Sequence, residues 1–200
     1  MRTLSSYALC VLFSGIASAQ LFSVGIKAGV PLTDAFADQT FPSSLTTGLT
    51  VHSFGDSKKF VAGGTVELHL PLGFSVEADG LYRPLRLTMV TTIAGSAAGG
   101  KDSADYVSWE VPILGKYRFL HTPLIKPYVA GGPSFRILEA PLDHFMSTHG
   151  FALGGGIEFK VSRLRISPEL RYTLWGSDSN FAFEAKSNQN QVELLIGLTW

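Results

Sequence analysis

The segment "LRISPELRYTLW" (164–175) alternates apolar and polar residues along its whole length. Leu164, Ile166, Pro168, Leu170, Tyr172 and Leu174 share one parity, and Arg165, Ser167, Glu169, Arg171 and Thr173 share the other. Successive side chains of a β-strand point to opposite faces, so the segment predicts a long strand with one apolar face and one charged face. What contacts each face decides what the chain folds into.

Seven further segments have a strand-like pattern, and no amphipathic helix pattern of useful length is present. The eight predicted strands span residues 21–30, 60–70, 74–85, 107–119, 126–137, 150–161, 164–175 and 191–200. The connections 31–59, 86–106 and 176–190 are long and 138–149 is of medium length, whereas 71–73, 120–125 and 162–163 are short. An antiparallel up-and-down meander places all the longer connections at one end, an asymmetry typical of outer-membrane barrels.

The polar faces of the eight predicted strands carry both signs of charge in nearly equal number. Seven are acidic and eight are basic: Glu67, Glu77, Asp79, Glu110, Glu158, Glu169 and Glu193, against Lys27, Arg83, Lys116, Arg118, Arg136, Lys160, Arg165 and Arg171. A soluble barrel would hold such charges in water, where no balance is needed. The interior of an eight-stranded membrane barrel is just wide enough to be filled by side chains. Because an unpaired ion buried there costs several kcal/mol, the balance predicts a salt-bridged lumen with the apolar faces in lipid.

Three groups of residues bear on this prediction. Aromatic residues of the apolar faces fall near the predicted strand ends, as in two interfacial girdles: Phe22, Phe74, Phe119, Phe159 and Trp200 at the turn end, and Tyr82, Trp109, Phe135 and Tyr172 towards the loop end. Glycines permit sharp curvature in a narrow barrel, namely Gly63, Gly64, Gly131, Gly132 and 154–156. Pro84, Pro112, Pro133 and Pro168 each remove a ladder hydrogen bond, so we expect bulges or local bends there.

The first residues, "MRTLSSYALCVLFSGIASAQ", predict a secretory signal peptide rather than part of the fold. Arg2 precedes a short apolar run, and Ala17-Ser18-Ala19 forms an A-x-A site, so we expect cleavage after Ala19. The domain organisation is then a signal peptide at 1–19 and a barrel domain at 20–200. Cys10, the only cysteine, lies in the signal, so the mature chain has no disulfide.

Composition excludes some partners. The formal net charge is zero, which argues against a nucleic-acid-binding protein. Charged residues make up only 16% of the chain, which leaves little polar surface for a soluble protein.

Several strands resemble those of a known group. "SWEVPILGKYRF" (108–119) resembles the E-x-P-x-L-x-K-Y-x-F strand of the outer-membrane β-barrel domain family, the PorT-like and OmpA/OmpX-like small barrels. "ISPELRYTLW" resembles the P-E-L-R-Y strand of the same proteins, and "FSVGIKAGV" their first strand. Trp200, preceded by Leu198 and Ile196, resembles their C-terminal insertion signal, in which Phe is the usual last residue. The resemblance spans about 20–200 and implies a barrel inserted by the barrel assembly machinery, but it is nearly silent on activity.

Candidate chemical sites are weak. Ser147 and His149 with Glu139 are residue types from which a lipid-modifying enzyme builds a nucleophile, base and acid, but no motif singles them out. His144, His149 and Asp143 are metal-ligand types on a loop without a second ligand cluster. His69 is expected to form hydrogen bonds in the lumen. We therefore predict no catalytic residues, no metal and no cofactor.

The sequence predicts a non-enzymatic, eight-stranded antiparallel transmembrane barrel in the outer membrane of a Gram-negative-type bacterium. A plugged lumen is favoured over an ion or proton path, and the role is expected to be structural or surface interaction. The alternatives are a narrow pore, a lipid-modifying enzyme and a soluble ligand-binding barrel. The expected partners are outer-membrane lipid and an extracellular ligand bound by the loops, without nucleic acid, and we expect a monomer. Loop aromatics either pack on the barrel rim or contact a partner: Phe36, Phe41, Phe54, Phe145, Phe181 and Phe183.

Overall fold

The computed structural model describes residues 21–42, 48–55, 60–95, 99–120, 122, 124–139, 142, 146–177 and 186–200. The strands are β1 (Phe22–Pro31), β2 (Gln39–Pro42), β3 (Leu49–Gly55), β4 (Val61–His69), β5 (Phe74–Ile93), β6 (Gly99–Arg118), β7 (Ile125–Leu138), β8 (His149–Val161), β9 (Leu164–Trp175) and β10 (Asn190–Thr199). A short 3-10 turn, Pro71–Gly73, joins β4 to β5. Within the described ranges, no helix is long and apolar enough to cross a membrane. The predicted signal peptide and the side chains of Phe41, Phe145, Phe181 and Phe183 lie outside what the structure describes.

Eight of these strands close into an antiparallel up-and-down barrel. The order around the wall is β1, β4, β5, β6, β7, β8, β9, β10, and β10 pairs back onto β1. At the closing seam Gly25 pairs with Thr199 and Pro31 with Glu193. The predicted fold class, an eight-stranded antiparallel up-and-down transmembrane β-barrel, is confirmed. Each predicted strand overlaps one strand of the barrel wall.

The outer face of the barrel is apolar and the inner face is charged. In β9, Leu170 is 53% exposed, whereas its neighbours Glu169 and Arg171 are each 1% exposed. The same alternation runs through β10, where Leu194 and Ile196 are exposed and Glu193 is buried. A water-soluble barrel would have the opposite arrangement, because large apolar side chains are rarely exposed in a continuous band. The apolar face of "LRISPELRYTLW" therefore faces lipid, and its charged face meets other charges in the lumen.

The predicted loop at 86–106 is wrong over most of its length. β5 continues to Ile93 and β6 begins at Gly99, so these strands extend well past the other barrel strands. The predicted loop at 31–59 contains β2 and β3, and β3 pairs with the upper part of β5 from Leu49↔Ile93 to Gly55↔Leu87. β2 pairs in turn with β3. These segments form a four-stranded sheet at the loop end of the barrel.

The proposed bulges at the prolines are also wrong, because no extra residue enters the register. Pairing of β5 with β6 is interrupted beside Pro112, but Ala78↔Ile113 and Leu81↔Glu110 keep the same register on both sides. The β6–β7 and β8–β9 ladders show the same kind of gap near Pro133 and Pro168. Pro84 lies between Tyr82, the last β5 residue paired to β4, and Leu87, the first one paired to β3, where no strand of the described ranges pairs with that edge of β5. The missing N–H groups therefore cost local ladder bonds without a shift of register.

Candidate functional site

Most inward-facing polar side chains of the barrel form three successive charged layers beneath an apolar cap. Two small clusters of buried apolar side chains accompany them, one with Leu114, Ala130 and Ala152 and one with Val61, Leu81 and Leu195. We call the charged layers the turn-end layer (Glu67, Ser75, Arg118, Glu158), the central layer (Lys27, Glu77, Asp79, Lys116, Tyr128, Glu169, Arg171) and the loop-end layer (Arg83, Glu110, Arg136, Trp175, Gln191, Glu193). All of these side chains are buried. Their positions follow from the strand alternation, which turns every second residue of each strand towards the barrel axis.

Lys27 is the centre of the central layer. Its Nζ lies 2.6 Å from Glu77 Oε1, 3.0 Å from Asp79 Oδ2 and 3.2 Å from Glu169 Oε2. Arg171 adds a second cation, with Nη2 2.7 Å from both Asp79 Oδ2 and Glu169 Oε1. Lys116, whose Nζ lies 2.7 Å from Glu77 Oε2, is the third cation of the layer. Three cations thus balance three carboxylates that would otherwise repel one another in a low-dielectric interior.

Glycines on the neighbouring strands leave space for the long charged side chains of the central layer. Lys27 pairs with Gly197 on β10 and with Gly63 on β4, so neither neighbouring strand presents a side chain beside it. Arg171 pairs with Gly154 and Glu169 with Gly156 in the same way. The sequence predicts Gly63, Gly154 and Gly156 as sites of backbone curvature. In the structure these three glycines and Gly197 also leave space for the large side chains opposite them, since small barrels are filled by large side chains opposite small ones.

Tyr128 links the central layer to the β7–β8 wall. Its hydroxyl donates to Glu169 Oε2 at 3.0 Å, and Lys116 Nζ lies 4.2 Å from the centre of its ring. The ring lies over Gly156, where an added Cβ would stand 2.6 Å from the tyrosine oxygen. The layer is therefore packed as well as charge-balanced.

Cations at the turn end compensate a repulsion between two carboxylates that the strand register places side by side. Glu67 on β4 pairs directly with Glu77 on β5, and like charges in that position are destabilising. Lys116 Nζ lies 2.7 Å from Glu77 Oε2 and 3.8 Å from Glu67 Oε1, so it stands between the two carboxylates. Arg118 Nη2 binds Glu67 Oε1 at 2.5 Å and Glu158 Oε2 at 2.9 Å.

His69 forms hydrogen bonds at the turn-end mouth of the lumen, in the role expected from the sequence. Its Nε2 lies 2.7 Å from Arg165 Nη1 and 3.0 Å from Ser23 Oγ. A guanidinium only donates hydrogen bonds, so Nε2 is the acceptor in this arrangement.

The loop-end layer binds the backbone of two external loops, the one that contains Thr33 and the one that contains Ser147. Arg83 Nη1 lies 2.7 Å from Gln191 Oε1, 3.0 Å from Glu193 Oε1 and 3.2 Å from Glu110 Oε1, and Nη2 donates to the carbonyl of Thr33. Arg136 lies over the Trp175 ring at 4.4 Å and its Nε donates to the Ser147 carbonyl. Both arginines therefore bind loop backbone as well as lumen side chains.

An apolar cluster at the loop end, the cap, is not among the features predicted from the sequence. Its buried members are Ala35, Phe36, Leu85, Leu87, Leu138, Leu142 and Met146, with Met89 and Tyr106 packed against them. Leu85, Leu87 and Leu138 continue the inward parity of Arg83 and Arg136 beyond the last charges. That switch from charged to apolar inward residues was the available signal. Of the loop aromatics, Phe36 packs into the barrel mouth rather than facing a partner.

Thirteen of the fifteen residues predicted for the lumen charge network are buried inside the barrel. Arg165 is half-buried at the turn-end mouth. Lys160 is exposed, which corrects its predicted place in the lumen. Its parity is inward, but it pairs with Arg165 next to the 162–163 turn, where the wall ends and no layer lies beyond it. The predicted insertion signal, Trp200, follows β10 and is 50% exposed.

Two of the three residue types considered for a lipid-modifying enzyme, Ser147 and His149, both lie beside Gly176, where an added Cβ would stand 2.6 Å from Ser147 Oγ and 3.4 Å from His149 Nε2. The Ser147 hydroxyl donates to the backbone carbonyl of His149 at 2.9 Å, so this bond does not activate the serine through an imidazole. Ser147 is buried and Glu139 is exposed. Of the candidate metal ligands, Asp143 and His144 lie outside the described residues, and no group of three or more metal-ligand side chains occurs among those that the structure describes.

A groove of about 530 Å³ opens at the loop end beside the first long loop. Its walls include Asp34, Asp38, His52 and Phe54. The His52 imidazole lies 2.7 Å from Asp38 Oδ1 and 5.3 Å from the Phe54 ring, measured between ring centres. The groove combines acidic and aromatic groups on the surface that the long loops form.

A closed barrel with an apolar exterior and a charge-filled interior defines the class of small outer-membrane barrels. Among solved structures, the chain is similar to the outer membrane protein OprG from Pseudomonas aeruginosa, with a TM-score of 0.53, 15% identity and coverage of 90% of this chain and 95% of that one. It is also similar to Neisserial surface protein A (NspA), with a TM-score of 0.51, 15% identity and coverage of 89% and 95%. No family model and no curated protein sequence matches the chain. At this identity the likeness shows the fold alone.

Proposed function

We propose that this protein is a non-enzymatic outer-membrane barrel with a plugged lumen, which acts at the cell surface through its loop end. The observation that carries the proposal is the filling of the lumen. Three layers of paired charges and an apolar cap occupy it from the turn end to the loop end. Ions crossing such a barrel would have to break several buried ion pairs, each at a cost of a few kcal/mol.

Reconstitution in a planar lipid bilayer tests the plug. We expect no ion conductance above the bare bilayer, because the charged layers bind one another rather than a permeating ion. A large porin reconstituted in the same way is the positive control, since barrels of sixteen or more strands leave an aqueous channel. Steady single-channel currents from the wild-type protein would instead support the narrow pore.

The proposed location is the outer membrane of a Gram-negative-type bacterium, reached with a signal peptide cleaved after Ala19. The apolar exterior supports a membrane location. The strands at 108–119 and 164–175 support a place in the PorT-like and OmpA/OmpX-like group, and Trp200 supports insertion by the barrel assembly machinery. Mass spectrometry of the protein from isolated outer membranes tests the cleavage site, and we expect Gln20 as the first residue.

The proposed interaction surface is the four-stranded sheet with the adjoining groove. The sheet extends past the barrel on β5 and β6, and the groove places Asp34, Asp38 and Phe54 on the same side of the molecule. Functional residues often lie on loops held by a rigid scaffold, and this barrel is such a scaffold. The extracellular ligand is proposed to bind here.

The absence of enzymatic activity is testable in cells. We expect expression of the protein to leave the lipid profile of the outer membrane unchanged. A changed profile that is lost on Ser147→Ala or His149→Ala would replace this proposal with a lipid-modifying enzyme.

A further inference from the structure

The charged residues that are not enclosed at the turn end of the barrel all have the same sign. In the described part of this end they are Lys126, Lys160, Arg163 and Arg165, whereas Glu67 and Glu158 are buried in the turn-end layer. The loop end differs, since Asp38, Asp102, Asp105 and Glu139 are exposed there. The exposed and half-buried charged side chains of this rim are therefore all cationic.

Strand register brings the four cations together. Lys160 on β8 pairs directly with Arg165 on β9, and Arg163 lies in the turn between them. Lys126 on β7 pairs with Glu158, which places it diagonally next to Lys160. Directly opposed like charges are destabilising unless an anion lies between them.

No described side chain supplies that anion. Glu158 is bound by Arg118, and Arg165 donates to the His69 imidazole, which is not an anion in this arrangement. Lys160 and Arg163 have no ion pair in the described ranges. The rim thus presents positive charge to whatever surrounds it.

Large exposed apolar side chains locate the membrane boundary at this rim. Leu72 is 82% exposed, Leu124 66% and Val161 59%, and all three lie in or beside the short turns. Apolar groups at this level enter the edge of the hydrocarbon, and the long stems of Lys and Arg carry their charges to the headgroups just beyond.

We infer that Lys126, Lys160, Arg163 and Arg165 form a binding site for the phosphate groups of anionic phospholipids in the leaflet at the turn end. The inference rests on the proposed membrane location. Two phosphate oxygens suit the opposed Lys160 and Arg165, because charge-assisted hydrogen bonds form with both side-chain types. An anionic headgroup leaves this phosphate charge uncompensated, whereas phosphatidylcholine carries its own cation.

Native mass spectrometry of the full protein, released from nanodiscs of equal phosphatidylglycerol and phosphatidylcholine, tests the site. We expect the wild type to retain phosphatidylglycerol preferentially. Basic side chains near a membrane surface each strengthen binding about fivefold, so K160Q/R163Q is expected to lower this preference about 25-fold. K101Q/K186Q is the matched control, since it removes the same charge from the exposed loop end and is expected to retain the wild-type preference.

Three results would overturn the inference. They are no preference in the wild type, an unchanged preference in K160Q/R163Q, and an equal loss in the control variant. Thermal stability of the wild type in neutral detergent is measured with inorganic phosphate as the probe of a soluble ligand. We expect no shift at millimolar phosphate, and a shift there together with absent lipid preference would assign the site to free phosphate instead. Failure of the lipid test leaves the conductance result unchanged, so the two proposals fail separately.

Discussion

Lys27 is the residue on which the central layer depends, because three carboxylates lie within 3.2 Å of its ammonium group. Lys27→Met keeps most of the side-chain volume but leaves Glu77, Asp79 and Glu169 with only the neighbouring cations. We expect the free energy of unfolding to fall by about 3–5 kcal/mol, the usual cost of removing one partner from a buried ion pair. Urea unfolding in phospholipid vesicles, followed by tryptophan fluorescence, measures the change.

Lys101→Met is the control for that measurement, because Lys101 is exposed and surface substitutions usually change stability by less than about 0.5 kcal/mol. The double variant Lys27→Met with Glu77→Gln is expected to recover part of the loss. If Lys27→Met unfolds at the wild-type urea concentration, the central layer does not stabilise the barrel.

A substitution at Gly156 tests whether the glycines of the wall are needed to leave space for the lumen side chains. An added Cβ would lie 2.6 Å from the Tyr128 hydroxyl oxygen and 2.4 Å from the Pro168 carbonyl oxygen. Gly156→Ala is therefore expected to lower the free energy of unfolding by about 1–3 kcal/mol through overpacking. Gly80→Ala is the matched change, because no atom lies within 4 Å of its added Cβ, and we expect no loss there. Equal effects of the two changes would refute the packing argument.

At the scale of elements, the predictable strands are those whose own residues alternate clearly between apolar and polar. β9 was predicted as residues 164–175, the range it has in the structure, because every position has a clear parity. The upper part of β5, "RLTMVTTI", contains polar threonines on both faces and was predicted as a loop. It forms a strand by pairing with β6 across the hairpin and with β3, more than thirty residues earlier in the chain. No local pattern reveals the pairing with β3.

The lumen residues were also predictable only where the pattern of the strand itself determines their position. Parity identified the buried charges correctly, since it depends only on the strand period. Lys160 was misplaced because parity does not show where the wall ends. The cap was missed because Phe36 and Leu142 reach it from loops, where no period applies.

The sheet at the loop end is expected to be separable from the barrel. Replacing 88–103 with an Asn-Gly turn joins Leu87 to Ala104, which already pair across the hairpin. We expect the variant still to form a heat-modifiable barrel, because the removed residues lie beyond the lumen layers. Chymotrypsin cleavage after Phe54 is expected to accelerate, since β3 loses most of its pairing with β5.

Leu114→Asp is the control for this assay, since it places a carboxylate at a fully buried lumen position and is expected to prevent barrel formation. If the shortened variant also fails to form a barrel, the sheet is part of the folding unit.

At the scale of the whole molecule, the closed wall satisfies the backbone within the membrane, and the lumen charges form ion pairs with one another. A closed barrel leaves no unpaired strand edge in the hydrocarbon. The apolar exterior and the ion-paired interior therefore depend on each other: the strand alternation that turns apolar side chains to the lipid turns the charged ones into the lumen, where they must pair. The fold accounts for stability without a disulfide bond within the chain, which has a single cysteine.

The most direct test of this account is the gel mobility of the protein from isolated outer membranes, compared between unboiled and boiled samples. A closed barrel resists unfolding in SDS until it is heated, so we expect the unboiled protein to migrate faster than the boiled one. A single band of unchanged mobility, recovered from the soluble fraction without detergent, would contradict the assignment of the apolar face to lipid and of the charged face to the lumen.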